Sequence, residues 1–347
     1  MSTLRRIAGH TLWALFSLLL TVVFIVTAVY AYMELQLPNV ETLKDVHMQV
    51  PLRIYTADGK LIAQYGTKRR IPIRLDQVPK QLINAVLATE DARYYEHPGV
   101  DLIGIIRAAK AVIASGKKSQ GASTITMQVA RNFFLSRKKT YSRKINEILL
   151  ALKIDKELSK EKVLELYLNK IYLGNRAYGV AAAAKVYYGK TLNQLTLPEM
   201  AMIAGLPQAP SRNNPVDNPE GAIKRRNHVL SRMCEVGFIS KAQYQLAIQA
   251  PMTAKYHAQT IQVKAPYVAE MVRETMVEEY GKSAYDKGLN VYTTLSAKLQ
   301  KAANTALHDG LLAYDKRHGY RKPTENLGAY NEQTWLQNLK KKNVIDD

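Results

Sequence analysis

An uninterrupted apolar run near the N-terminus is the feature that most constrains what this chain can fold into. From Thr11 to Met33 the sequence has no Asp, Glu, Lys or Arg. As a helix, these 23 residues would span roughly 34 Å, which is enough to cross the hydrocarbon core of a bilayer with some tilt. A cleaved signal peptide is the alternative, but the run is long for one and no small-residue cleavage site follows it. The pattern therefore predicts an uncleaved transmembrane helix at 11–33.

The flanking charges orient the predicted span and narrow the choice of partners. Arg5 and Arg6 precede it, which favours a cytoplasmic tail at 1–10 and an exported remainder that begins with a stalk at 34–50. The 49 Lys and Arg residues outnumber the 29 Asp and Glu residues, so the formal net charge is +20. Such an excess indicates an anionic partner. An exported domain is not expected to bind nucleic acid, so the predicted anionic partner is a lipid headgroup or a diphosphate.

Helical patterns dominate the exported part of the chain. Two β-rich runs flank the turn dipeptide Asp-Gly at 58–59 and predict a hairpin. Beyond the hairpin, apolar residues recur at helical spacing, with Ser159 as a predicted helix cap and Thr196 with Glu199 in capping-box register. We therefore predict that residues 51–250 form a mainly α domain that includes a small β-hairpin.

The C-terminal part of the chain has a weaker pattern. The run GLNVYTTL at 288–295 predicts a strand, and the segment at 297–314 predicts a helix. The remainder is polar and basic, with too few apolar residues to close a domain by itself. We therefore interpret 251–347 as a linker and the incomplete start of a further domain.

An unusual concentration of ionisable groups occurs in the stretch ATEDARYYEHPGVD at 88–101. Glu90 and Asp91 end an apolar helical pattern, and His97 follows shortly after them. Carboxylates are costly to bury unless they are paired or hydrogen-bonded. The stretch is therefore either an ordinary solvated helix end or the floor of an active site.

The next segment, LIGIIRAAKAVIASGKK at 102–118, is apolar over much of its surface and carries interspersed Arg and Lys residues. Such a helix can lie in the interface of a bilayer, with its cations at the lipid phosphates. A core helix with a basic solvent edge is an equally weighted alternative. In the interfacial interpretation, the side chains that contact the membrane are Leu102, Ile105, Ile106, Val112 and Ile113.

Two further clusters carry groups suited to binding polyols or phosphates. The segment GASTITMQ at 121–128 includes Thr124 and Gln128, although Ser/Thr-rich loops are also ordinary helix caps. Lys144 and Glu147 are three residues apart and share a helix face within a basic run, which by default is a solvated surface. A Lys that neutralises a departing diphosphate, beside a second carboxylate, would give that pair a chemical purpose.

Five motifs taken together are far more specific than any one of them. They are, in chain order, EDARYYEHPG, GASTITMQ, RKINE, KVLELYLNKIYLGNRAYGV and AGLPQAPSRNNP. In this order they resemble the conserved blocks of the peptidoglycan glycosyltransferase family, the membrane-bound polymerases of lipid II. The resemblance covers about residues 75–235 and implies a lysozyme-like core. The segment LNVYTTLSAKLQKAANTA resembles the junction that leads into the transpeptidase domain of bifunctional class A penicillin-binding proteins.

The resemblance implies a role for each matched position. Glu90 matches the general base, and Glu147 matches a second carboxylate that is also a candidate ligand for a divalent cation, Mg²⁺ or Mn²⁺. No organic cofactor is implied. The family usually has Phe where this chain has Tyr94, whose hydroxyl then needs a partner. The positions that match substrate-binding residues are Asp91, His97, Thr124, Gln128, Arg143, Lys144 and Asn169.

The implied reaction joins lipid II units into β-1,4-linked glycan, with inversion at the anomeric carbon and release of polyprenyl diphosphate. The implied partners are lipid II, the growing lipid-linked glycan, the bilayer and, as candidates, other cell-wall synthesis proteins. The implied location is the bacterial inner membrane, with the catalytic domain on the periplasmic face. The alternatives are a lysozyme-like glycan-cleaving enzyme, which releases no diphosphate for the cations around Lys144 to stabilise, and a non-catalytic membrane scaffold.

Peptide cross-linking is a separate question. Penicillin-binding domains carry the motifs Ser-x-x-Lys and Lys-Thr-Gly. The three Ser-x-x-Lys matches, SGKK, SRKK and SKEK, all lie inside the region similar to the glycosyltransferases, and Lys-Thr-Gly is absent from the sequence. We therefore expect no transpeptidase activity from this chain.

Overall fold

The computed structural model describes residues 37–46, 48–115, 123–136, 140–258, 260–319 and 332–341, and isolated positions between 13 and 27. Within these residues, no helix combines the length and the hydropathy needed to cross a bilayer. The transmembrane helix predicted at 11–33 lies mostly outside them and stays a prediction.

The described part of the chain is mainly helical, as its sequence predicts, with a few short strands. The strands are β1 (Leu52–Tyr55), β2 (Leu61–Tyr65), β3 (Arg69–Arg70), β4 (Ala177–Tyr178) and β5 (Asn290–Tyr292). The helices are α1 (Lys80–Glu90), α2 (Leu102–Ser115), α3 (Ile125–Phe134), α4 (Tyr141–Glu157), α5 (Lys160–Lys170), α6 (Val180–Tyr188), α7 (Leu197–Gly205), α8 (Pro219–Glu235), α9 (Lys241–Ile248), α10 (Pro266–Tyr280), α11 (Ala297–His318) and α12 (Glu332–Lys341).

One large hydrophobic core holds most of the helices together. Val86 of α1, Leu150 of α4, Leu164 of α5, Ile203 of α7 and Val229 of α8 all belong to it, and none is more than 1% exposed. Each helix contributes the apolar stripe that its sequence period creates. The core thereby fixes where the polar ends of these helices lie.

Local signals in the sequence set several helix ends. The Ser159 hydroxyl accepts a hydrogen bond from the Lys162 amide at 3.2 Å, and the Glu199 carboxylate accepts one from the Thr196 amide at 2.9 Å. Both predicted caps are confirmed. Helix α1 ends at Glu90, because Asp91 leaves the helical region with φ −163° and ψ 76°. The chain then turns instead of continuing the helix towards Tyr94 and His97.

The predicted hairpin forms from β1 and β2, and Gly59 adopts φ +74° in its turn. The other edge of β1 pairs in parallel with β5, and Arg53 lies opposite Asn290. The strand predicted at 288–295 and the helix that follows it are thus confirmed. The hairpin packs with the segment beyond residue 250, whereas its sequence position suggested grouping it with the helices. The buried residues that it shares with that segment are Leu52, Ile54, Ile62, Ala63, Val263, Ala265 and Ala269.

A buried amide braces the segment that leads into α1. The Asn169 amide nitrogen donates to the carbonyl oxygen of Ile73 at 2.7 Å and to that of Glu165 at 3.0 Å. Its carbonyl oxygen accepts from the Ile73 amide at 2.9 Å. Asn169 is 5% exposed, so the substrate-binding role predicted for it competes with these three bonds to the main chain.

Replacing Asn169 by Ala should lower the free energy of unfolding by about 2–4 kcal/mol, because the Ile73 amide and carbonyl would lose their partner in a buried site. Urea denaturation followed by circular dichroism measures this change. The exposed Asn193, in the turn after α6, gives the matched control Asn193→Ala, which should change stability by less than about 0.5 kcal/mol. Equal effects of the two substitutions would contradict the brace.

Candidate active site

Glu90 is the last residue of α1, and its side chain lies against polar groups of two other helices. The side chain is 13% exposed. The Gln128 amide on α3 donates to its carboxylate at 2.7 Å, and the Arg225 guanidinium on α8 lies 4.0 Å from it. Glu90 is therefore close to solvent but mostly surrounded by protein.

Burial raises the pKa of Glu90 above that of an ordinary carboxyl group, because the charged form loses hydration. The Gln128 hydrogen bond and the charges of Arg225 and Arg131 oppose this shift, while the charge of Asp91 adds to it. The Tyr167 hydroxyl is buried near Glu90 and has no hydrogen-bond partner among the described residues. A carboxyl group with a raised pKa is a better proton acceptor than an ordinary one once it is ionised.

Asp91 has a different environment from its neighbour. Its carboxylate lies 2.9 and 3.1 Å from His97 Nε2 and accepts the Ile125 amide at 3.0 Å. Ile125 is the first residue of α3, so this carboxylate sits at the positive end of a helix. Asp91 and His97 are both 7% exposed. The two residues predicted to bind substrate thus join the end of α1 to the start of α3.

Thr124 completes that junction. Its hydroxyl accepts the Met127 amide at 3.1 Å, which caps α3, and donates to the Gly99 carbonyl at 2.6 Å. Gly99 has φ +77°, and a Cβ there would lie 2.5 Å from the Ala151 carbonyl oxygen. The turn after Asp91 therefore requires glycine to approach α4 this closely. Thr124 is 2% exposed and lies inside the junction, so its predicted contact with substrate stays untested.

Glu147 anchors a second cluster, on α4. Its two carboxylate oxygens accept bonds of 2.8 Å from Arg143 Nη1 and 2.8 Å from Lys144 Nζ. Lys144 also donates to the Ser123 hydroxyl, 2.9 Å away. Glu147 is fully buried, whereas the Lys144 side chain is 41% exposed. The carboxylate thus holds two cations, of which Lys144 presents charge to solvent.

Glu147 is poorly suited to bind the predicted divalent cation. Both of its oxygens are already engaged by cationic side chains. Mg²⁺ and Mn²⁺ prefer several oxygen ligands, and no group of three candidate ligands occurs among the described residues. The residues present do not fit a metal ion held by the protein alone.

Helix α3 connects the two clusters. Gln128 on its second turn contacts Glu90, and Ser123, just before its first turn, contacts Lys144. The helix also packs against α4, which carries Glu147. Helix α3 and the residue Ser123 before it thus contact both a carboxyl group with a raised pKa, Glu90, and one of the paired cations, Lys144.

Helix α2 leaves this region with an exposed apolar surface. Leu102, Ile106 and Ile113 are 67%, 56% and 85% exposed, in agreement with an external contact. Ile105 is different, because it packs against the small cluster of Val100, Met127 and Ala151. Its predicted membrane contact is replaced by a contact within the protein. The side chain of Val112 lies outside the description.

Two cations near Glu90, Arg131 and Arg225, were not predicted from the sequence as site residues. Arg131 lies one turn after Gln128 on α3, and its guanidinium is 3.4 Å from the side-chain oxygen Oε1 of Gln128. Arg225 lies three residues after Ala222 and four before Val229, both of which are fully buried. That spacing places Arg225 towards the core side of α8, where a cation needs a partner. Helical periodicity was the available signal.

Tyr94 stands where the peptidoglycan glycosyltransferase family usually has Phe, and its hydroxyl has a hydrogen-bond partner. The ring is 1% exposed, and the hydroxyl donates to the Lys160 carbonyl at 2.6 Å. The Lys160 ammonium lies 4.9 Å from the ring centroid and donates to the His97 carbonyl at 2.6 Å. Tyr94 therefore supports the turn that follows Glu90.

Replacing Tyr94 by Phe should lower the free energy of unfolding by about 0.5–1.5 kcal/mol, because one hydrogen bond is lost while the ring packing is kept. Urea denaturation measures the change. The exposed neighbour provides the control Tyr95→Phe, which should be close to neutral. A loss of several kcal/mol at Tyr94 would mean that the hydroxyl has a role beyond this bond.

Several known proteins are similar in sequence to this chain over most of its length. The sequence pattern of the family described as Transglycosylase matches residues 58–234. Penicillin-binding protein 1A of Escherichia coli (strain K12) is 56% identical over 309 residues, covering 89% of this chain and 36% of that protein. Penicillin-binding protein 1A of Vibrio cholerae serotype O1 is 57% identical over 307 residues, covering 88% of this chain and 37% of that protein.

The crystal structure of penicillin-binding protein 1A from Haemophilus influenzae, at 2.6 Å resolution, matches at 37% identity with a TM-score of 0.46. It covers 85% of this chain and 35% of that chain. This chain thus spans little more than a third of the length of these relatives. The family pattern covers just over half of the 347 residues. The chain therefore belongs to the transglycosylase family.

Proposed function

We propose that this chain is a peptidoglycan glycosyltransferase that polymerises lipid II into β-1,4-linked glycan strands and releases polyprenyl diphosphate. One observation carries the proposal beyond family membership. A nearly buried carboxyl group with a raised pKa, Glu90, contacts Gln128 of α3, and Lys144, which is paired with Arg143 at Glu147, contacts Ser123 just before the same helix. Glycosyl transfer from a diphosphate donor needs both a base and a site of positive charge.

Glu90 is the general base in this proposal. It takes the proton from the 4-hydroxyl of the acceptor GlcNAc while that oxygen attacks the anomeric carbon of the donor. The new C–O bond forms as the bond to the diphosphate oxygen breaks, and the configuration at carbon inverts. A base works best when its pKa lies near the working pH, and the burial that raises the Glu90 pKa moves it in that direction.

Arg143 and Lys144 stabilise the departing diphosphate. Negative charge gathers on the leaving oxygen as the glycosidic bond breaks, and cations held in advance stabilise it without reorganising. Glu147 holds both side chains through bonds of 2.8 Å, so it acts as a positioning residue. Because the site does not fit a protein-held metal, no step is assigned to a divalent cation.

Two carboxylates of the same type thereby take opposite roles. Burial raises the pKa of Glu90 despite the hydrogen bond from Gln128 and the charges of Arg225 and Arg131. Glu147 lies between two cations and serves as their counter-ion. The division of roles follows from the surroundings and not from the residue type.

The membrane part of the proposal rests on the exposed apolar side chains of α2, led by Leu102 and Ile113, and on the apolar run at 11–33. Lipid II carries a polyprenyl tail that stays in the bilayer, so an interfacial helix beside the site would keep the enzyme at its substrate. We infer a single-pass protein of the bacterial inner membrane with its catalytic domain on the periplasmic face. Other cell-wall synthesis proteins are candidate partners.

Replacing Glu90 by Gln should abolish polymerisation, lowering turnover by about a hundredfold or more, because Gln cannot accept the proton. The assay follows purified lipid II and detects lengthened glycan and free polyprenyl diphosphate. Circular dichroism should show an unchanged fold, since Gln keeps the size of the side chain and its bond to Gln128.

The exposed Glu161 on α5 gives the matched control Glu161→Gln, which should retain full turnover. In the unmodified protein, the rate should rise with pH around a midpoint above that of an ordinary carboxyl group, because Glu90 must first lose its proton. Turnover that survived Glu90→Gln would show that the base is another group. Shortened fragments from cell-wall sacculi would instead favour glycan cleavage.

Replacing Lys144 by Gln should lower kcat/KM by about ten- to a thousandfold, because one cation at the leaving diphosphate is lost. Lys156, exposed near the end of the same helix, gives the matched control Lys156→Gln, which should leave kcat/KM unchanged. The assay is run with a divalent cation and with a chelator. A small effect of Lys144→Gln, together with complete loss of turnover in chelator, would assign the leaving group to a metal ion instead.

A further inference from the structure

A second concave site lies where the hairpin sheet meets α6. Its cavity volume is about 540 Å³. Arg53 on β1 and Arg69 and Arg70 on β3 form one side, while Lys185 and His257 are on the other. None of its lining residues belongs to the clusters around Glu90 or Glu147. The proposed transferase chemistry therefore leaves this site unexplained.

The cations that line this pocket have only neutral partners among the described residues. Arg53 donates to the Gln64 side chain at 3.1 Å, and Lys185 donates to the Gly189 carbonyl at 3.3 Å. The Arg69 guanidinium lies over the ring of Tyr256, 5.3 Å from its centroid. Charged groups gathered without counter-ions repel one another, so the pocket favours an anion.

Two residues that line the pocket carry buried guanidinium nitrogens without a partner among the described residues. Arg70 is 3% exposed, and although its Nη1 donates to the Gln49 carbonyl at 3.0 Å, its Nε has no partner in that part of the chain. Arg69 Nη1 is likewise buried and unpartnered there. Buried guanidinium donors without acceptors are costly, so an acceptor that reached them would stabilise both side chains.

Further cations lie around Arg70. Burial lowers the pKa of Arg70, and Tyr178 and Asp286 oppose that shift. The pKa of Lys170 falls to about 8, first through burial and then through the charges of Arg70 and Lys68. Lys68 and Lys170 thus add positive charge near Arg70, beside the carboxylate of Asp286.

We propose that this pocket binds a phosphate or diphosphate group. A single carboxylate would offset one of the cations Arg53, Arg69, Arg70 and Lys185, whereas phosphate groups carry more charge and more acceptor oxygens. Guanidinium groups match the geometry of phosphate oxygens with paired hydrogen bonds. The phosphate has two sources, a soluble phosphate compound or the headgroup of an anionic lipid.

Binding would join two separately packed parts of the molecule. Arg53 and Gln64 belong to the hairpin sheet, which has its own hydrophobic cluster, whereas α6 and its Lys185 belong to the large helical core. A ligand that contacts both sides would tie the sheet to the helices and raise the thermal stability of the protein. The inference does not depend on the proposed polymerase activity.

The test uses the full chain in a neutral detergent and hydrogen–deuterium exchange read by mass spectrometry. Inorganic diphosphate should slow exchange in peptides that cover 64–71 and 182–189, relative to chloride of equal ionic strength. A short-chain phosphatidylglycerol, compared with phosphatidylcholine, forms the lipid arm. Protection by diphosphate indicates a soluble ligand, and protection by phosphatidylglycerol alone indicates a lipid headgroup.

The variant Arg69→Gln/Lys185→Gln should weaken binding of the active probe by about tenfold or more, measured by calorimetry, because two charged contacts are removed. The control variant Lys156→Gln/Lys241→Gln removes the same charge from exposed positions on other helices and should bind as before. Arg53→Gln is the second variant if the first does not fold.

Three results would overturn the proposal. One is an equal loss of affinity in the control variant, which would mean that net charge alone attracts the probe. Another is protection confined to 141–147, which would place the anion at the Glu147 cluster. The last is an absence of saturable binding by either probe. The polymerase assay is separate, so its outcome and this one are distinguishable.

Discussion

The carboxylate of Asp91 at the start of α3 is the interaction on which the arrangement of the site depends. It accepts the Ile125 amide and contacts His97, and all three groups are buried. The end of α1 is thereby fixed to the beginning of α3. Gln128 on α3 contacts Glu90, and Ser123, which precedes α3, contacts Lys144 of the other cluster. A single junction therefore sets the positions of both clusters. Of the two acidic residues at the end of α1, Glu90 is therefore the one proposed to do chemistry, and Asp91 fixes the position of the helices.

Features that depend on neighbours along the chain could be predicted from the sequence. The end of α1 at Glu90 and the cap at Ser159 follow from local pattern. The contact of Lys144 with Glu147 follows from their spacing by three residues on one helix. The contact of Gln128 with Glu90 joins two helices, and no local pattern predicts it. The family resemblance placed both residues in one site, although it gave no reason for their direct bond.

Features that depend on distant parts of the chain could not be predicted in this way. Asn169 bonds to Ile73, and Arg225 approaches Glu90, across long separations in sequence. Ile105 belongs to an apolar helix, and only tertiary packing decides that it faces inward while Ile106 faces outward. Arg53, Arg69 and Arg70 come together with Lys185 at one pocket only through contacts between distant parts of the chain.

The central place of β1 in its sheet has a consequence for how the protein is made. The partner on one side of β1 arrives at once through the hairpin turn, but the other, β5, pairs Arg53 with Asn290. Synthesis proceeds at about 5–20 residues per second, so the free edge of β1 waits roughly ten to fifty seconds for β5. An isolated two-stranded hairpin is marginal in water, and an open strand edge invites pairing with other chains. The helical core can close before β5 is made, because the buried residues of that core all precede residue 248. Folding of this chain is thus expected to finish with its first strand, and the interval before that is when the chain is most exposed to aggregation.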